Sequence, residues 1–442
     1  MNTPICDFVE RYASRSALRL HMPGHKGCGE IAKNDITEID GADSLFDACG
    51  IIKKSEQNAG SIFGARTFYS TEGSSHSIRA MLYLTALYAK SLGKAPSVLA
   101  GRNAHKTFVG ACALLDVGVE WLFPEDCSYL SCDPTKESIE EYLTKATEAP
   151  TAVYLTSPDY LGSLADIRGI AEVCHRHGVL LLVDNAHGAY LKFLPESLHP
   201  IDLGADACCD SAHKTLPVLT GGAYLHISEN APRAFIENAK NALSLFGSTS
   251  PSYLILASLD AANLYICDGY KEKLSAFIQR LDALKNELEA FGYSFSGDEP
   301  MKLTICAKSY GYLGQELAEH LYSNGIVPEF YDPDFVVLML TPEISDGELG
   351  RLKEALISLP RKNKILILPP RISRPQRKMT PREAIMSSCE VVAVERSLGR
   401  TLASVTVGCP PAVPIVVSGE VIDEAAIKCF QYYGIKSCSV IK

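Results

Sequence analysis

Along residues 151–188 the pattern of apolar and polar positions changes period twice. "TAVYLTSP" is a short β-branched run, "ADIRGIAEVCHRHG" carries apolar residues at helical spacing and ends on a glycine, and "GVLLLVDNAHG" is a continuous apolar run closing on an acid. That predicts a strand, a helix and a strand. A fully apolar strand after a crossover helix belongs in a parallel sheet covered on both faces, and in such sheets ligands gather at the carboxyl ends of the strands. Asp184 stands at one such end. A further strand, about "GADACCDS", finishes just before Lys214, with room after Asp184 for a loop or short helix. Upstream, "FYSTEGSSHSIRAMLYLTALYAKSLG" reads as a small-residue turn opening a long amphipathic helix, with Ser74 and Ser75 near its start. Further on, "LDAANLYICDGYKEKLSAFIQRLDALKNELEAFG" predicts one long amphipathic helix, and 300–360 mixes short strands and helices as a small domain would. The proline-rich, basic "RKNKILILPPRISRPQRKMTPREA" reads as a solvated linker into a C-terminal domain rather than an anion-binding face.

Composition narrows the class. A chain of 442 residues, 47% hydrophobic and 21% charged, is long enough for two or three domains and a large core. A formal charge of -10 with no basic block argues against a nucleic-acid surface and leaves a small molecule as the expected partner. No apolar run approaches the roughly 18 residues of a membrane helix, and the N-terminus lacks an apolar signal region, so a cytoplasmic protein is expected. The 15 cysteines are scattered and form no CxxC pair, which predicts reduced, mostly buried thiols and no metal site.

The chemistry turns on "CDSAHKTLPVLTGGAYLHI", where Lys214 lies among small and apolar neighbours. Either its stem covers apolar surface with the ammonium in water, or its amine has a task. The neighbouring candidates are each ambiguous. "EGSSH" suits a phosphate at a helix start but also an ordinary N-cap. Asp184 suits a ligand or a cap, and His105 in "GRNAHKTF" and His187 in "DNAHG" suit catalysis or plain hydrogen bonding. Their order along the chain is more specific. A phosphate cup, a histidine, an acid ending a strand and a lysine after the next strand are the parts that pyridoxal phosphate requires.

At these residues the chain resembles the fold-type-I, pyridoxal-phosphate-dependent ornithine/lysine/arginine decarboxylases. The likeness runs from "LRLHMPGHKG" through "DITEIDGADSLFDACGII", "RNAHKTF", "TSPDYLG", "VDNAHGAY" and "SAHKTLPVLTGGAYLHI" to "STSPSYLILASLDAA", and resumes in "MTPREAIMSS", "ERSLGRTLAS" and "PPAVPIVVSGE". It implies an α/β fold: a large domain of the fold-type-I transferase kind, with a mostly parallel sheet and helices on both faces, plus smaller α+β C-terminal domains. The implied division is an N-terminal arm (1–47), the large cofactor domain (48–265), a small domain (266–361) and a C-terminal decarboxylase-type domain (362–442), without the N-terminal wing of the longer members. The resemblance makes Lys214 the Schiff-base lysine with Ser211 and His213 beside it, and Asp184 the partner of the pyridine nitrogen. It also places Ala186 under the ring, His187 near the phenolic oxygen and His105 stacked on the opposite ring face. Ser74, Ser75 and the amide of Gly73 form the implied phosphate cup, with Thr249 or Ser250 adding a contact that could cross a dimer interface. A homodimer or higher homo-oligomer follows from "PGHK" in the arm.

The implied reaction is decarboxylation of lysine, arginine or ornithine to cadaverine, agmatine or putrescine. Asn185 and Tyr190 depart from "DEAHGAH", Asp159 stands where threonine is commoner, and Ala412 and Ser418 alter a "PPGIPLLVPGE" type of segment. These positions bear on substrate identity rather than on the lysine chemistry. Glu420 in "VSGE" is a candidate for meeting the substrate's distal cation or, equally, a turn-capping acid. The rival readings are another pyridoxal-phosphate reaction, such as transamination or elimination, and a non-catalytic scaffold.

Overall fold

The computed structural model describes residues 1–15, 17–124, 132–406 and 413–442. Seven strands form the large sheet: β1 (Arg66–Ser70), β2 (Ser97–Gly101), β3 (Gly118–Leu122), β4 (Ala152–Thr156), β5 (Leu180–Asp184), β6 (Ala207–Asp210) and β7 (Ala223–Ile227). Their order is β1-β7-β6-β5-β4-β2-β3. β5 and β6 pair in parallel, whereas β7 runs antiparallel to both β6 and β1, so the sheet is mixed. The run "LLLVD" is buried at every position, as its unbroken apolar character requires of a strand covered on both faces.

The predicted crossover helix is Ile167–Arg176. Asp166 caps it by accepting the N–H of Gly169 at 3.0 Å, and Gly178, at φ +68°, lets the chain turn out after it. The connection from β5 to β6 holds a short 3-10 helix, Ala189–Phe193. The long helix expected after residue 250 is two helices, Tyr253–Cys267 and Tyr270–Phe291, because Gly269 at φ +75° breaks the run.

Smaller sheets follow. β8 (Phe295–Ser296), β9 (Lys302–Cys306), β10 (Phe330–Tyr331) and β11 (Phe335–Met339) form an antiparallel sheet in the order β10-β11-β9-β8. β12 (Cys389–Ala393) pairs antiparallel with β13 (Ser437–Ile441) over a core that includes Leu402, Ile415, Val416, Phe430 and Val440. The segment 360–376 has no regular structure, in keeping with the linker its prolines predict.

The chain forms two compact units. One comprises Met1–Val98, Lys136–Tyr154 and Asp166–Glu272; the other comprises Leu99–Thr135, Leu155–Ala165 and Lys273–Lys442. Among the described residues no helix is long and apolar enough to cross a membrane. Of the described cysteines, all free, seven are buried.

Candidate active site

Asp184 and Cys209 are register partners on β5 and β6, so their side chains share one face of the sheet while Asp210 points from the other. Asp184 is 3% exposed. Its Oδ1 accepts from the Ala186 N–H at 3.2 Å and the Cys209 thiol at 3.5 Å, and its Oδ2 accepts from the Tyr154 hydroxyl at 3.2 Å. Burial first, and then the Asp184 charge, push the Cys209 thiol well above its ordinary value, so it stays protonated and able to donate. The hydroxyl and amide bonds are long for a carboxylate, and the third comes from a weak thiol donor. The group is oriented yet retains capacity for a stronger, charged donor.

Lys214 sits in one helical turn, Ala212–Thr215, directly after β6. It is half-buried, and its Nζ donates to Nε2 of the buried His187 at 3.0 Å. The amine is thus turned toward another functional group. Beside it, His213 Nδ1 donates to the Gly222 carbonyl at 3.0 Å. Burial, followed in the same direction by the nearby Lys214 charge, outweighs that bond and lowers the imidazole's pKa.

The Gly-Gly turn after this lysine has a geometric reason. Gly221 lies at φ +100°, and a Cβ there would stand 2.7 Å from the Thr71 carbonyl oxygen. The Gly221 carbonyl in turn accepts the N–H of Gly73 at 2.7 Å. The Gly73 amide expected in the phosphate cup thus makes a hydrogen bond within the protein. Gly73 opens the helix Gly73–Ser91, which has no side-chain cap. Ser74 is buried in its first turn and accepts from Ser211 Oγ at 2.8 Å, and Ser75 follows, half-buried. Hydroxyls from two elements and the positive end of a helix converge there, a donor set suited to an anion.

Other expected residues are less tightly placed. Thr249 and Ser250 are exposed, in a loop where the Ser248 N–H donates to the Glu72 carboxylate at 2.6 Å. His105, in the second unit, is exposed and N-caps the helix Lys106–Leu115, its Nδ1 accepting from the Thr107 N–H at 3.3 Å. Ala186 is buried at the turn after β5. Ala412 lies outside the described residues.

Glu420 departs from the substrate-cation reading. Its two carboxylate oxygens accept from Nη1 and Nη2 of Arg102 at 2.7 Å each, and Oε2 also accepts the Val417 N–H at 2.9 Å. Arg102 is fully buried, its guanidinium 5.1 Å from the Trp121 ring and 5.0 Å from that of Phe123. The acid's charge is matched within the protein, and the turn-capping reading is the one the geometry supports.

One cluster escaped the sequence reading. Asp210, fully buried, accepts at Oδ2 from His199 Nε2 at 3.1 Å and His226 Nε2 at 3.2 Å, and at Oδ1 from Asn185 Nδ2 at 2.7 Å. His226 Nδ1 bonds the Thr67 hydroxyl at 2.8 Å. Burial alone would raise this carboxyl, but the two imidazoles outweigh it and hold it well below the usual carboxylate range. His199, Cys208 and Asp210 bring ligand-type atoms within 4.8 Å of one another: His199 Nε2 bonds Asp210, and the Cys208 thiol lies 4.0 Å from that same nitrogen. Alternation along β6 separates Cys209 from Asp210 by face. No spacing signal links either residue to His199 or His226.

With this geometry in view, comparison with known proteins places the chain. The structure of lysine decarboxylase A from Pseudomonas aeruginosa matches with a TM-score of 0.81 at 18% identity, over 99% of this chain and 80% of that one. That of the Francisella novicida lysine decarboxylase LdcF matches at 0.78 and 18%, over 100% and 81%. These likenesses define an α/β fold of the fold-type-I kind. Sequence goes further: the family model "Orn/Lys/Arg decarboxylase, major domain" matches residues 3–296 and the corresponding C-terminal domain model matches 371–437. An arginine decarboxylase of Bacillus subtilis is 30% identical over 96% of this chain and 92% of its own length. The chain belongs to the Orn/Lys/Arg decarboxylase family.

Proposed function

We propose that this enzyme removes the α-carboxylate of a basic amino acid, lysine, arginine or ornithine, with pyridoxal 5'-phosphate held at Lys214. The observation that carries the reading is the meeting of Lys214 Nζ with His187 Nε2 at 3.0 Å, one strand from the buried Asp184. When bound, pyridoxal phosphate supplies the electron sink that carbon dioxide loss at Cα requires. The donor set fits that group: a lysine amine, a strand-end carboxylate and an anion-binding helix start lie within one unit.

Each residue's part follows from its surroundings. Lys214 supplies the amine that tethers the cofactor. Asp184, aimed by Tyr154, Ala186 and Cys209, presents a carboxylate to a protonated ring nitrogen and keeps the proton there. Ser74, Ser75 and Ser211 donate to the phosphate at the positive end of the helix. His187 exchanges a hydrogen bond with the lysine amine and is positioned to hold a proton at Nε2 when that amine releases one. Ala186, small and buried, leaves space for a flat ring. For His105 the support is the matched "RNAHKTF" motif. The division at 1–47, 48–265, 266–361 and 362–442, a cytoplasmic location and a homodimer belong to the same reading. The last is supported by apolar side chains left exposed along the N-terminal arm at Leu18, Leu20 and Ile31.

The test is absorbance of the purified protein with pyridoxal phosphate and carbon dioxide release from arginine, lysine and ornithine in turn, for wild type and Lys214→Ala. A visible band lost in the variant, with carbon dioxide from one substrate, is expected. A band without carbon dioxide from any of them would overturn decarboxylation and leave transamination or elimination.

A further inference from the structure

Asn185 directly follows Asp184, and Asp210 stands four positions before Lys214. Their side chains are joined by the Asn185 Nδ2 to Asp210 Oδ1 hydrogen bond of 2.7 Å, with both residues fully buried. Next to it, the Asn185 N–H donates to the Cys209 carbonyl at 3.0 Å. We propose that Asn185 and Asp210 are a positioning pair that fixes the spacing between the cofactor's acid and its lysine, an inference that rests on the reading of Asp184 and Lys214 given above.

Both ends of the bridge are held. Asp210 is anchored on its far side by His199 and by His226, which continues to Thr67 on β1. Asn185 is wedged against its own turn: the Gly188 N–H donates to the Asn185 carbonyl at 2.8 Å, and a Cβ on residue 188 would lie 2.0 Å from Asn185 Oδ1. A shift of either side chain therefore moves backbone that leads straight into Asp184 or Lys214.

The residue types are also matched. An ionised Asp210 accepting from two imidazoles needs a neutral donor at its other oxygen, which an amide provides and a carboxylate at neutral pH does not. Asn185→Asp sets two acids against each other. Asp210→Asn is faulty in a complementary way, because it removes the charge that the imidazoles and the Asn185 amide share, and its amide nitrogen either faces the imidazole donors or obliges Asn185 to turn its own amide over. The double exchange repairs both. The amide then carried at position 210 offers its oxygen to the imidazoles and its nitrogen to the carboxylate carried at position 185.

The experiment measures pyridoxal phosphate affinity, visible absorbance and kcat/KM for wild type, Asn185→Asp, Asp210→Asn and the double variant, with Lys214→Ala alongside. Each single exchange is expected to weaken cofactor binding and kcat/KM about tenfold, and the double to return within about threefold of wild type. A wild-type-like Asn185→Asp, or a folded double variant no better than the poorer single, would overturn the pairing. If a single variant fails to fold, comparison of the double with the other single decides. A cofactor band surviving in Lys214→Ala would instead overturn the site reading itself.

Discussion

Asp184 and Asp210 close neighbouring parallel strands, both buried, and the chain treats them oppositely. Asp210 receives two imidazole N–H donors and an amide at 2.7 to 3.2 Å. Asp184 receives a hydroxyl, a thiol and one backbone N–H at 3.2 to 3.5 Å, the thiol being a weak donor. One carboxylate is completed by short bonds within the protein, and the other is held by longer and weaker ones. A group whose hydrogen bonds are already short and numerous holds structure together; one held by long bonds can take a charged ligand without first giving up strong contacts.

Substitutions separate the two roles. The largest effect is expected from Asp184→Asn, with carbon dioxide release slowed about 10²–10³-fold while the urea midpoint stays close to wild type. A comparable loss of stability in that variant would erase the distinction. Asp210→Ala should do the reverse to the fold, lowering unfolding free energy by about 3–5 kcal/mol in urea titration, because two buried imidazole donors lose their acceptor.

A third buried acid extends the contrast. Asp159 accepts the N–H groups of Leu161, Gly162 and Ser163 at Oδ1, while Oδ2 is buried without a partner among the described residues. Burial, only partly offset by those bonds, raises its carboxyl to about 6. The folded state therefore holds its proton more tightly than the unfolded chain, so this group's contribution to stability is full below about pH 4 and is lost as pH rises to about 6. That loss is about 3 kcal/mol in order of magnitude, and Asp159→Asn should flatten the corresponding part of a stability profile measured between pH 4 and 7. The smallest change is expected at Cys209→Ala. Removing a thiol donor from Asp184 should alter stability by about 1 kcal/mol or less, and a large loss of turnover there would show the acid's orientation to depend on that contact.

Much of this was legible in the chain. The apolar runs of β4, β5 and β6, the helix between β4 and β5 and the start of Gly73–Ser91 follow from local periodicity and turn chemistry, and the order of Ser74, Asp184 and Lys214 is what pointed to the candidate site. What sequence did not show is pairing at a distance. The acid of "VSGE" found its cation in Arg102, and "CCDSAHK" found its imidazoles in His199 and His226, through adjacency that only the folded sheet or turn creates. The helix break at Gly269 was missed for a different reason: apolar spacing continues across the Asp268-Gly269 dipeptide, and that spacing outweighed a turn signal that the positive φ of Gly269 bears out.

The Arg102–Glu420 pair spans 318 positions. Chain emerging from a ribosome carries that guanidinium long before its carboxylate exists. Loop closure over such a length is slow to be rewarded, and an unmatched charge opposes burial beside Trp121 and Phe123 until the "VSGE" turn arrives. The interior around Arg102 thereby waits on the segment that carries Glu420, so a nascent chain cut short before that residue would keep this region open to proteases and chaperones.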